Sequence, residues 1–113
     1  MREHPRKIEE LSLEIARLDA ELQDVREEIG SREAFMTLEI GAARDEAGKP
    51  LYSNETLRAA ALTLAKEQSE DTKALRHQEK TLEQTRSEMF ARLERLRFEF
   101  KLFLLDREAE INR

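Results

Sequence analysis

The sequence predicts an all-α protein: an antiparallel two-helix coiled-coil hairpin that assembles into a four-helix or elongated homodimer. Three observations predict it. Of the 113 residues, 40% are charged and 39% apolar, against about 25% charged in an ordinary globular domain, a balance that suits long helices each burying one stripe. Gly and Pro number only 3 and 2, so few positions can stop a helix. Apolar residues in the first third recur at alternating spacings of 3 and 4, the repeat of a coiled-coil seam. A disordered acidic segment has no reason to hold that register.

The first helix is expected over about residues 5–46. Its seam is Ile8, Leu11, Ile15, Leu18, Leu22, Val25 and Ile29, and a strict seven-residue repeat implies a left-handed supercoil. Pro5 is tolerated in a first turn, where Glu9 and Glu10 lie near the positive end of the dipole. Gly30 interrupts the pattern at a cost of about 1 kcal/mol against Ala, enough for a bend but not a stop.

A turn is expected at about residues 47–53, on Gly48, Pro50, Tyr52 and Ser53. Gly48 suits the left-handed position just past a helix, and Pro50 cannot continue one. Ser53 is the expected N-cap of the second helix, with Tyr52 and Leu57 placed as a hydrophobic staple.

The second helix is expected from about 54 to 111, without interruption, because no Gly or Pro falls inside it. Leu75, Leu82, Met89, Leu96 and Phe103 recur every seven residues. At 1.5 Å per residue this helix is the longer, about 85 Å against about 60 Å. No linker or composition shift divides the chain, so residues 1–113 are read as a single helical-hairpin domain.

Folding about residue 50 pairs positions whose numbers sum to about 100: Leu11 with Met89, Leu18 with Leu82, Val25 with Leu75. Ile15, Leu22 and Ile29 then face polar residues. Full burial of each is worth roughly 1.5–3 kcal/mol, so a second hairpin is the simplest way to cover them. Together with Ile8 they form one part of the expected interface. The other part is the C-terminal arm, where Phe98, Phe100, Leu102, Phe103, Leu104 and Leu105 point around the whole helix. A helix apolar on all sides is normally buried on all sides.

Chemistry is sparse. Cys is absent, which removes disulfides, thiolate metal ligands and Cys nucleophiles. His4 and His77 are isolated, and neither a zinc-protease motif nor a Gly-rich phosphate loop is present. No catalytic, cofactor-binding or metal residue is assigned, and no cofactor is expected. A net charge of −5 opposes general nucleic-acid binding, which needs a basic field. Arg86, Arg92, Arg95, Arg97 and Lys101 alternate with Glu88, Glu94 and Glu99 and are read as ion-pair formers. The longest uncharged stretch, Ala59 to Ala65, is far short of the roughly 20 residues of a spanning helix. The start of the chain, MREHPRKIEELS, has no apolar core of a secretory signal, so a cytoplasmic location is expected.

These readings lead to a non-enzymatic structural or interaction protein, a scaffold, adaptor or chaperone-like factor, forming a homodimer and engaging a protein partner whose identity the sequence does not disclose. The alternative starts from Asp45 and Glu46 at the hairpin tip. There the chain is loosely similar to transcription factors of the Gre type, whose acidic-tipped coiled-coil hairpin enters the secondary channel of RNA polymerase. The resemblance covers those two residues and the hairpin shape, and that family's C-terminal globular domain is missing. It implies a regulator that inserts its tip into a large enzyme such as RNA polymerase. Prefoldin subunits are similar in length and in having a two-helix arm, but β-hairpins join their helices, and the short turn leaves no room for these.

Overall fold

The computed structural model describes residues 3–112. Among the described residues there are three helices and no strand: α1, Glu3–Ala42; α2, Glu55–Gln68; and α3, Glu70–Ile111. The chain is all-α, with helices packed against one another. It divides into two compact units, one of Met1–Leu22 and Thr81–Arg113, the other Gln23–Lys80. α1 runs through Gly30 as one helix.

In the first unit, Ile15, Leu18 and Leu22 of α1 are buried together with Leu93 of α3. Arg86 Nε donates to Asp19, and His4 Nε2 lies 3.4 Å from Glu99 Oε2. Residue numbers rise along α1 as they fall along α3, so these two segments run antiparallel. In the second unit Val25 and Ile29 are buried, with Thr72 the one buried polar residue. Arg26 donates to Glu79 at 3.1 Å and Arg32 to Asp71 at 3.4 Å. Glu33 receives both Arg76 and Lys66, at 3.5 Å. The hydrogen bond to Glu33 is the main reason the Arg76 guanidinium is held above its usual range; burial opposes it, and the charges of Glu33 and Glu79 add to it.

The helix bounds differ from expectation at three places, each for a local reason. α1 stops at Ala42, four residues short of 46. Arg44 Nη1 donates to the carbonyls of Gly41 and Ala43 at 3.1 and 3.2 Å, occupying acceptors that a further turn of helix would need. A small closed loop follows. Asp45 N–H donates to Lys49 O at 2.8 Å, Gly48 N–H to Asp45 O at 3.0 Å and Leu51 N–H to Ala43 O at 3.0 Å, and Arg44 and Pro50 form an isolated antiparallel bridge. Asp45 Oδ1 also accepts from Lys49 N–H at 2.9 Å. Gly48 has φ +82, as expected, but it serves a β-turn with a glycine bulge rather than the end of a helix.

The N-cap of α2 is Asn54, not Ser53: its Oδ1 accepts from Leu57 N–H at 2.9 Å. Asn and Ser cap about equally well, and the loop geometry selects the later residue. Leu57 therefore stands at the third helical position, which removes the expected staple spacing, although Tyr52 and Leu57 still line one hollow.

The second expected helix is two helices. Ser69 has φ −84 and ψ 105, an extended residue between α2 and α3. Its N–H closes α2 on Ala65 O at 3.1 Å. Its Oγ accepts from Thr72 N–H at 3.2 Å and its hydroxyl donates to Thr72 Oγ1 at 2.9 Å. Glu70 and Asp71 follow in the first turn of α3, where the dipole favours them. The run Ser-Glu-Asp-Thr is thus a helix start in the middle of what periodicity alone reads as continuous helix.

This break accompanies a change of register. Between α1 and α2, Glu33 meets Lys66, numbers that sum to 99, close to the expected 100. Between α1 and α3 the paired numbers sum to 103, 105 or 109. The pairing of Leu11 with Met89, Leu18 with Leu82 and Val25 with Leu75 is therefore displaced by about one helical turn, near 6 Å. At a sum of 104, Ile15 faces Met89, Leu22 faces Leu82 and Ile29 faces Leu75, and these three aliphatics have apolar partners within their own units.

Three outcomes test this description. Cysteines at 22 and 82 should form an intrachain disulfide efficiently, and cysteines at 18 and 82 poorly, because a bridge needs Cβ atoms about 4 Å apart. Gly48→Val should destabilise by about 1–2 kcal/mol through its left-handed backbone, whereas Gly30→Ala, with nothing within 4 Å of an added Cβ, should be neutral or stabilising; chemical denaturation measures both. Ser69→Ala should cost about 1 kcal/mol by removing the cap of α3, with early loss of amide protection at residues 70–73 in hydrogen exchange.

Candidate functional site

The expected interface residues separate into three groups. Ile15, Leu22 and Ile29 are buried and Ile8 half-buried, leaving them little surface to offer a second chain. Phe100 and Phe103 are half-buried; the Phe100 ring lies 6.1 Å from the His4 ring, so the end of α3 packs on the start of α1. Phe98, Leu102, Leu104 and Leu105 are exposed, at 61%, 45%, 48% and 51%.

The reason is the order of residues on α3. Met89, Leu93, Leu96, Phe100 and Phe103 are spaced 4, 3, 4, 3 and are buried or half-buried. Ala91, Arg95, Phe98, Leu102, Leu105 and Ala109 are spaced 4, 3, 4, 3, 4 and are all exposed. At 100° per residue the second series falls on the side of the helix opposite the first. The arm is thus not apolar at random around its circumference. It carries an inner seam that α1 covers and an outer seam that no described residue covers, with Leu104 between them.

Charges flank the outer seam. Glu94 is engaged by Arg97 at 2.9 Å, and Glu99 by His4. Arg92, Arg95, Asp106 and Glu108 have no ion pair with any described residue. Arg92 and Arg95 also border a groove of about 610 Å³ with Leu11, Leu96, Glu10 and Glu14. Glu10 is held by Arg6, and Glu14 by Arg17, whose guanidinium that hydrogen bond raises above its usual range.

The second unit has its own apolar surface. Ile40, Tyr52, Leu57, Ala61 and Leu64 line a hollow of about 380 Å³. Phe35 and Leu38 are exposed, at 61% and 71%. At the loop, Gly48, Pro50 and Ser53 are exposed and Tyr52 half-buried, its carbonyl accepting from Arg58. Asp45 is committed to the loop through Lys49, while Glu46 has no partner among the described residues. His77 is exposed on α3. Among the described residues no group of three His, Asp or Glu side chains is placed to hold a metal ion, and no helix is long and apolar enough to cross a membrane.

Sequence reasoning passed over Ser69 and Asn54 as caps and the exposed Leu13; of the five basic residues it read as ion-pair formers, Arg86 and Arg97 pair, whereas Arg92, Arg95 and Lys101 have no ion pair with a described residue. For Ser69 the signal was present, a Ser followed by two acids. For the outer seam it was present as a second 3-4 series on one helix, masked by the first. Comparison with family models, with curated proteins and with solved structures finds no match for this chain.

Proposed function

We propose that this chain is a non-enzymatic interaction protein, a helical hairpin that forms a homodimer through its C-terminal arm and acts as a scaffold or adaptor. The observation that carries the reading is the exposure of Phe98, Leu102 and Leu105 on one face of α3. A contiguous apolar stripe of this kind is uncommon on a monomer and marks an interaction surface. The antiparallel contacts of α1 with α3 in each unit support a hairpin, and the 3-4 spacing of the outer stripe suits a helix as its occupant. A role without chemistry agrees with how the polar side chains are used: Asp19, Glu33 and Glu79 each hold a cation across to another helix.

In this reading the intact protein sediments at micromolar concentration as twice the 13.2 kDa chain mass. Phe98→Glu together with Leu105→Glu, both at exposed positions, yields a monomer of unchanged helicity, because a charge in a desolvated contact is costly. A stable monomer of the unaltered protein overturns the homodimer. Loss of biological activity on replacing Asp45 and Glu46, with assembly intact, would favour the regulator reading instead.

A further inference from the structure

We infer that α2 is a strap that leaves α1 and returns to it as one piece, turning at Ser69 and at the 43–54 loop, with the Lys66–Glu33 ion pair as its latch. The strap belongs to the second unit alone and does not depend on the homodimer reading.

Burial is the first ground. Within this unit α1 contributes the buried Val25 and Ile29, and α3 the buried Thr72. α2 has no buried residue. Its Arg58, Ala61, Leu62, Ala65 and Lys66 are half-buried at 3-4 spacing, while Leu57 and Leu64 stand 46% and 53% exposed. Its packing is loose along both edges. Ile40 of α1 borders a hollow of about 380 Å³ with Leu57 and Leu64, and another of about 140 Å³ with Ala59 and Leu62. A segment with few buried apolar contacts lies at the low end of local opening free energies.

The ends are the second ground. Asn54 Oδ1 caps the start of α2 on Leu57 N–H, and Ser69 N–H closes its end on Ala65 O at 3.1 Å. Both closures lie within 54–69 and ask nothing of another helix. Ser69 is a single extended residue between two helices, the kind of element end that absorbs a hinge rotation.

The latch is the third. Among the described residues one ion pair joins α2 to α1, Lys66 Nζ to Glu33 Oε2 at 3.5 Å. Arg58 bonds instead to the Tyr52 carbonyl in the preceding loop. Arg76 of α3 holds the other oxygen of Glu33. Glu33 therefore keeps a cation when Lys66 withdraws, and opening leaves no unpaired carboxylate against the helices. What opening bares is the face of α1 with Glu33, Met36 and Ile40, at 3-4 spacing and half-buried, beside the exposed Phe35 and Leu38.

Hydrogen exchange on the full chain tests this. Away from α1, a helix of 14 residues is marginal in water. The bonded amides of residues 58–68 should therefore exchange together, with protection about tenfold or more below that of residues 25–33 of α1. Lys66→Met keeps the stem and loses the charge. It should speed exchange of that block roughly two- to fivefold, the range for an exposed ion pair, and leave residues 25–33 unchanged. The chain has no native Cys, so Ile40→Cys with Ala59→Cys can tie α2 to α1. Oxidation of that variant should bring the block to the protection of α1, and reduction should reverse it. Central α2 amides as protected as those of α1 overturn the strap. So does a block that Lys66→Met fails to speed, or one that exchanges equally fast with the disulfide closed.

Discussion

The removal of the α1 seam from water is the interaction on which the other features depend. Ile15, Leu18, Leu22, Val25 and Ile29 lie at 3-4 spacing and are all buried, at roughly 1.5–3 kcal/mol for each side chain. The exposed ion pairs around them contribute about 0–1 kcal/mol apiece. Burial therefore decides which face of α1 is covered, and the charges arrange themselves about that choice. α3 answers with a stripe that is not wholly apolar. Glu79 and Arg86 stand in the seam positions opposite Val25 and Leu18. Their stems can cover apolar surface while their ends reach Arg26 and Asp19.

Hydrogen bonds decide what burial leaves open, namely where each helix stops. Arg44 on the Gly41 carbonyl of α1, Asn54 at the start of α2 and Ser69 at the start of α3 each satisfy backbone groups that a helix end would otherwise leave unpaired, and Asp45 ties the loop between α1 and α2 through Lys49. None of these bonds is strong, since a cap contributes about 1 kcal/mol. They matter because a stop displaced by a few residues displaces every pairing beyond it. In the second unit the break at Ser69 separates the register of α2 from that of α3 by about one turn, and that turn gives Ile29 the apolar partner Leu75.

α3 also has a property that one partner helix cannot satisfy. Its C-terminal segment is apolar on two opposite sides, and α1 covers one. The inner face holds Leu93 at 4% exposure, and the outer holds Phe98 at 61%. Apolar surface left in water on one side of a helix is a standing drive toward association. The functional reading rests on this asymmetry between the faces.

The all-α class and the α1 seam were legible in the sequence because they depend on periodicity, and period is a property of the chain alone. Gly48 was legible too, since only a residue without Cβ takes φ +82 at no cost. The apolar character of the arm was evident from Phe98 to Leu105. The register, the break at Ser69 and the division of the arm into inner and outer seams were not. Gly48 fits both a helix end and a glycine-bulge turn. Ser69 fits both a helix interior and a cap. Phe98 and Phe100 are alike in composition and differ only in which side of α3 they occupy. Local preference separates such alternatives by about 1 kcal/mol or less, so the packing of α1 against α3, with several aliphatics buried at once, made each choice.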